Sequence, residues 1–455
     1  GPAPTTSAGP AGPEGRPVRV AGMVTTTLQD AAGNRFTRFS SPVTVQMPLA
    51  AGTRRADRSG PLLPGDSFPV SVWNETTGRW DAGPAGVVKA VGGGLVLEFQ
   101  TASFSTRAAL DPIDPANPQV VWVGTGEAWT RNSVSIGNGI YKTTDGGDTW
   151  TNVGLPDSER ISRIVVDAKD SNTVYACVPG RLWSDSTARG LYVTRDGGKS
   201  WTQALKGPNA STGCADVSAD PSDPSHLFVS LWDFRRKGWT FRSGGEGPEA
   251  ASGSGLFETR DSARTFTAIE PNKDNGLPAK PWGRIGITIA PSDPKRVYAV
   301  IEGVRSALFR SDDGGRTWTE GDRSQSMVWR PFYFARLIVD PKNADKIFKP
   351  NLPLIVSLDG GKSFSGSGGG AHGDWHDMWI DPDNTNHVVG GDDGGLWHSY
   401  DGGNRWWKGD NLPVSQFYHV SVDDKDPYQV YGGLQDNGSW AGDSAFPGGI
   451  TNARW

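Results

Sequence analysis

From Thr106 onward the chain alternates short apolar strands with polar turns at a steady beat. One recurring segment opens on an Asp/Pro-rich turn and runs into β-branched or aromatic residues. Its copies are "DPANPQVVWVG", "DAKDSNTVYAC", "DPSDPSHLFVS", "APSDPKRVYAV", "DPKNADKIFKP", "DPDNTNHVVGG" and "DKDPYQVYGG". The other is a short alternating run, "GIYKT", "GLYVT", "GLFET", "ALFRS" or "GLWHS", closed by a turn. Those turns are near-copies of one another: "TTDGGDTW" at Thr143, "TRDGGKSW" at Thr194, "SDDGGRTW" at Ser311, "SLDGGKSF" at Ser357 and "SYDGGNRW" at Ser399. A worn copy, "TRDSARTF", begins at Thr259, with Ala263 and Phe266 in place of Gly and Trp. Both segments carry the hairpin signal, and no stretch repeats with the helical period.

Each unit therefore spells strand, Asp-Pro turn, strand, variable loop, strand, Asp-Gly-Gly turn, strand. Four antiparallel strands in about 42–65 residues predict a propeller blade rather than a sandwich. The expected fold class is all-β: a β-propeller over 106–455 with six full blades and the first half of a seventh, which breaks off at Trp455. A half-blade leaves an open sheet edge, so the natural protein is expected to continue. In the turn, the Asp and Ser/Thr side chains can bond nearby amides while the glycines take angles other residues resist. Asp145, Asp196, Asp313, Asp359 and Asp401 read as fasteners, because one catalytic site needs only one or two carboxylates.

Upstream, residues 1–18 are rich in Pro, Gly, Ser and Thr and read as a flexible linker. The alternating runs "VTTTLQD", "PVTVQMPL", "SFPVSVWN", "GVVKAV" and "GLVLEFQ" predict a small β-sandwich-like accessory domain over 19–105. Either a passive spacer or an adhesion or carbohydrate-binding module fits it.

Composition narrows the function classes. The 19 Trp among 455 residues call for a repeated structural role, and the net charge of −5 is opposite to a nucleic-acid footprint. No apolar run approaches the roughly 20 residues of a membrane helix, and no motif calls for a cofactor. Cys177 and Cys214 are the two cysteines; a bridge and two buried thiols both remain open.

Chemistry is expected at the end opposite the Asp-Gly-Gly turns, where long loops gather on a rigid scaffold. Aligned on the Asp-Pro turn, the innermost strands start with Leu110, Arg163, Asp216, Gly286, Arg336, Asp377 and His419, and Arg284 shares the strand face of Gly286. If these strands line a central channel, Arg163, Asp216, Arg284, Arg336, Asp377 and His419 form a ring at its mouth. The ring is then either a set of closing salt bridges or a ligand site. "HGDWHDMW" adds His372, Asp374 and His376 beside Asp377, without the spacing of a structural zinc site. "GTGEAW" offers Glu127, "GGDDGG" offers Asp392 and Asp393, and "GLQDNGSW" offers Asp436 and Asn437. Glu127, Asp377, Asp392, Asp393 and Asp436 are candidate catalytic acids, since a glycosidase needs a carboxylate pair. Glycine-rich turns also favour Asp for structural reasons. Trp129, Trp183, Trp232, Trp239 and Trp329 can stack on sugar rings, grip a peptide, or pack blades.

The six turns resemble Asp-boxes, the repeats of bacterial neuraminidases, sortilin-type receptors and xyloglucanases. "VGTGEAW", "GGDDGGLW" and "YGGLQDNGSW" are similar to stretches of large bacterial propeller proteins known as glycosyl hydrolases or sortilin-like. The resemblance implies an Asp-box β-propeller that is secreted, periplasmic or on the cell surface. Two departures bear on activity. "SRIV" at Ser162 and "GRIG" at Gly283 lack the Pro of the sialidase Arg-Ile-Pro motif. The two catalytic aspartates of xyloglucanases come from separate propellers, whereas one is read here. The leading expectation is a binder of a saccharide or polypeptide at the loop-bearing face. The alternatives are a glycoside hydrolase and a protein-docking platform.

Overall fold

The computed structural model describes residues 38–48, 67–68, 71–74, 79–82, 86–91, 94–103, 113–114, 117–131, 134–237, 240–244, 252–409, 417–435 and 437–445. The expected linker over 1–18, together with Leu110, Trp239 and Asp436, lies outside the described residues. The chain divides into two compact units, Gly1–Ala109 and Leu110–Trp455. In the first, Arg38–Pro48, Gly94–Ser103, Gly86–Val91 and Ser67–Phe68 adjoin in that order in one antiparallel sheet, and Ser71–Asn74 pairs with Arg79–Ala82.

The second unit is a β-propeller whose strands pair in chain order. Blade 1 holds Asn117–Gly124 and Ile140–Thr143 as its second and third strands, after Ile113–Asp114. Blade 2 runs Arg163–Val166, Val174–Val178, Gly190–Thr194 and Thr202–Leu205. Blade 3 opens on Thr212–Ala219 and Leu227–Lys237, the latter also pairing with an extra strand, Thr240–Ser243. Blades 4, 5 and 6 open on Ile285–Ala290, Ile338–Asp340 and Trp375–Ile380, with Asp293–Ile301, Asn343–Lys349 and Val388–Asp392 as their second strands. A seventh sheet has three described strands, Phe417–Val422, Gln429–Leu434 and Ser439–Asp443, one more than the expected half-blade.

The opening strands of blades 2 to 6 neighbour one another in sequence order, as radial packing requires. The hydrophobic core is correspondingly divided into clusters between successive blades. Tyr175, Leu191, Val217 and Val229 join blades 2 and 3, Phe228, Ile287 and Val297 join 3 and 4, and Phe348, Trp375 and Trp397 join 5 and 6. Cys177 and Cys214 form a disulfide between blades 2 and 3, which decides the open question of the thiols.

The Asp-Gly-Gly turns are built alike. Asp145 Oδ1 accepts from Thr143 Oγ1 at 2.6 Å and from the Thr149 amide at 2.9 Å, while Oδ2 accepts from Thr149 Oγ1 at 2.6 Å. The same bonds recur at Asp196, Asp313 and Asp359, and at Asp261 of the worn copy. There Ser262 and Ala263 take φ of 58° and 64° where the other copies place glycine. The Trp318 and Trp406 indoles donate to Gly315 O and Gly403 O, whereas Trp201 reaches back to Val153 O at 2.8 Å. With its acceptor sites engaged inside the turn, each Asp closes a fold element, as its sequence reading requires.

Candidate functional site

The loop-bearing end brings together side chains from six blades. Trp129, in the loop between the second and third strands of blade 1, is the meeting point. Its ring centroid lies 5.1 Å from the Arg284 guanidinium and 5.7 Å from that of Arg336. The rings of Tyr333 and His376 stand 6.0 Å and 5.8 Å away. Arg336 donates to Ser162 O at 2.9 Å, spanning blades 5 and 2, and approaches Asp377 Oδ2 at 3.4 Å. Arg163 Nε lies 3.9 Å from Asp216 Oδ1. Of the expected ring, Arg163 and Asp216 come together, as do Arg336 and Asp377; Arg284 is buried and donates to Phe332 O at 2.8 Å, and His419 lies exposed on the seventh sheet.

Local backbone geometry explains how the acids reach this position. Register shifts between Cys214 and Asp216, between Trp375 and Asp377, and between Phe417 and His419 put a bulge at the same place in three opening strands. A bulge re-aims a side chain and often borders a functional site. Sequence reading found the register but missed the repeated bulge.

The electrostatics sort these groups. Burial pushes the Asp216 carboxyl pKa up, against the opposing pull of Arg163 and of the Ile287 amide. Asp377 is 49% exposed at the opening, yet the protein encircling it makes burial the largest influence, and its pKa also rises against the pull of Arg163. Burial brings Arg284 down to about 10, with Asp216 and Glu302 opposing. Burial likewise raises Tyr333 to about 12; Arg131 opposes this, and Asp393, Glu127 and Asp374 reinforce it. These three acids therefore act on one phenol at the opening.

His376 links the acids. Its Nε2 is 2.9 Å from Asp393 Oδ1, its ring stacks on Phe334, and Asp377 follows it in the chain. Asn437 of the seventh sheet donates to Asp393 O at 2.8 Å. Glu127 Oε2 accepts from the Ser135 amide at 3.2 Å, and Arg160 Nε donates to Glu127 O at 3.1 Å. Among the described residues, no group of three His, Cys, Asp or Glu side chains is arranged to hold a metal ion.

Three candidates fall elsewhere. Asp392 is saturated by the amides of His372, Gly373 and Gly394 and by the Trp397 indole, so it anchors a loop. Trp232 is 1% exposed, stacked on Phe234, with its indole donating to Ser243 Oγ; it is core and offers no face to a ligand. His419 is exposed on the seventh sheet, lining an open concavity of about 460 Å³ with Ser421, Tyr431, Ser439 and Trp440. Tyr333 and Arg160 were missed, since they sit in stretches that do not repeat between blades, and Lys349 was missed because its segment, "DPKNADKIFKP", reads only as a repeated strand. Lys349 is buried with its Nζ donating to Phe334 O at 2.5 Å and Pro350 O at 3.2 Å.

No protein-family profile matches the chain. It is 26% identical over 329 residues to a probable oligoxyloglucan-reducing end-specific xyloglucanase of Neosartorya fischeri, covering 63% of this chain and 36% of that protein. It is 24% identical over 328 residues to an oligoxyloglucan-reducing end-specific xyloglucanase of Emericella nidulans, with the same coverage of each. The matched region thus spans little more than a third of these relatives. Among solved structures, an ancestral GH74 enzyme aligns over 74% of this chain and 46% of its own, at 16% identity and a TM-score of 0.46.

Proposed function

We propose that this chain is an extracytoplasmic Asp-box-type propeller that hydrolyses a β-linked polysaccharide at its loop-bearing end, with xyloglucan as the substrate class. The observation that carries the reading is that His376, its ring 5.8 Å from that of Trp129, pairs with Asp393 at 2.9 Å and directly precedes Asp377. Glycoside hydrolysis needs one carboxyl that keeps its proton and a second carboxylate facing the sugar. Asp377, whose pKa burial raises, supplies the first. It protonates the glycosidic oxygen as the bond from the anomeric carbon breaks and its electron pair stays on that oxygen, while a water bonds to the anomeric carbon and gives up its proton to the second carboxylate. Asp393, oriented by His376, is the second carboxylate. The names of the curated relatives supply the substrate class. The Cys177–Cys214 bridge supports an oxidising compartment, and no helix among the described residues is long and apolar enough to cross a membrane.

The test is release of reducing ends from soluble xyloglucan. Asp377→Asn and Asp393→Asn are each expected to lower turnover by about 10²–10⁴, the usual worth of a positioned acid or base, while the sugar is still retained. A second reading, a binding platform for a saccharide, is favoured by the basic partner each acid already has, Arg336 for Asp377 and His376 for Asp393. Retention of xyloglucan by the unaltered protein without product would select it.

A further inference from the structure

The loop over 179–189 joins the second and third strands of blade 2 at the loop-bearing end, and its backbone is held at almost every step. Arg189, 1% exposed, donates to the carbonyls of Pro179, Arg181 and Ser184, and its guanidinium lies 4.5 Å from the Phe234 ring. Leu182 is buried against Ala215, Trp232 and Phe234. Its carbonyl accepts from the Arg236 amide at 3.1 Å, and the Ser186 amide donates to Ala210 O at 3.0 Å. Asp185 pairs with Arg235, and Arg181 with Glu159.

Out of this fixed loop stands Trp183, 50% exposed and without a ring contact among the described residues. Ordering a loop costs conformational entropy, and an exposed indole forfeits the gain of burial. The two together are unfavourable for stability and favourable for a preorganised contact, since a rigid aromatic binds with little entropy left to lose. The loop is also indexed to the mouth. Arg160 donates through Nη1 to Gly180 O at 2.9 Å and through Nε to Glu127 O at 3.1 Å, so one buried guanidinium fixes the Trp183 loop against the loop that carries Glu127 and Trp129.

We propose that Trp183 is an aromatic platform for a pyranose ring of the polysaccharide chain, a subsite on the blade 2 loop that Arg160 ties to the Glu127 loop. The proposal rests on the function given above. A flat, half-exposed indole, bordered by exposed Arg181, Ser184, Asp185 and Thr187, suits a sugar. The apolar C–H face of the ring covers the indole, and its equatorial hydroxyls meet the polar rim. An apolar peptide side chain would instead call for a concave pocket.

The experiment is calorimetric titration of the full chain with soluble xyloglucan and, separately, with cello-oligosaccharides of increasing length. Because the side chain is half exposed and its loop is held by other residues, Trp183→Ala is expected to fold as the parent does. It should weaken binding of long oligosaccharides roughly tenfold and leave the shortest unaffected, whereas Trp183→Phe should keep most of the affinity. Equal affinity of Trp183→Ala and the parent for every length overturns the platform and leaves the proposed function standing. Failure of the parent to bind any of these glucans overturns both.

Discussion

Replacing Gly315 with Ala tests the claim that the repeated turns lock each blade to the one before it. Gly315 has φ of 86°, and a Cβ placed there would lie 2.7 Å from Cζ of Phe228, on the second strand of blade 3. Its neighbour Gly314 has φ of 76°, and a Cβ there would meet nothing within 4 Å. The backbone penalty for a left-handed non-glycine residue, about 1–2 kcal/mol, applies to both. Overpacking against the buried Phe228 ring adds about 1–3 kcal/mol at Gly315 alone. Gly314→Ala is therefore expected to cost about 1–2 kcal/mol and Gly315→Ala about 2–5 kcal/mol. Equilibrium urea unfolding of both variants beside the parent gives the comparison. Equal losses would refute the interlock, because the shared backbone term would then account for the whole effect.

Two groups of the propeller couple its stability to pH in opposite ranges. Hydrogen bonds from the Ser363 hydroxyl and amide and from Ser357 hold the Asp359 carboxyl pKa down at about 2, and Asp145, Asp196 and Asp261 are lowered by the equivalent bonds. A folded-state pKa below the unfolded value of about 4 stabilises above pH ~4, and that stability is lost as pH falls toward ~2. Urea midpoints measured down the acid range should fall through this window, less steeply in Asp359→Asn. Burial lowers the Lys349 amine to about 7, with Arg284 adding to the effect. Between pH ~7 and ~10 the unfolded chain holds the extra proton, so stability should rise with pH; in Lys349→Met that rise should disappear.

The blades were legible because each turn states its own chemistry within eight residues, and repetition then supplied the register that placed Arg163, Asp216, Arg336 and Asp377 at one end. Asp392 misled because a Gly-rich turn uses a carboxylate to gather orphan amides, which looks the same in sequence as a poised acid. Trp232 misled for a different reason. Its strand, Leu227–Lys237, runs long enough to pair with an extra strand and to bury what a shorter strand would leave at a loop. His419 shares the register and the bulge of Asp377 but lies on an exposed sheet face, and register specifies direction along a strand rather than packing between sheets. Tyr333 and Arg160 act through contacts that join loops of different blades, so no pattern within one repeat pointed to them.

The most direct measurement is a crystal structure of the Asp393→Asn variant soaked with a xyloglucan oligosaccharide. The account predicts a glycosidic oxygen within hydrogen-bond reach of Asp377, with a sugar ring near Trp129. A saccharide seated only in the concavity beside His419, or on no part of the loop-bearing end, would contradict it.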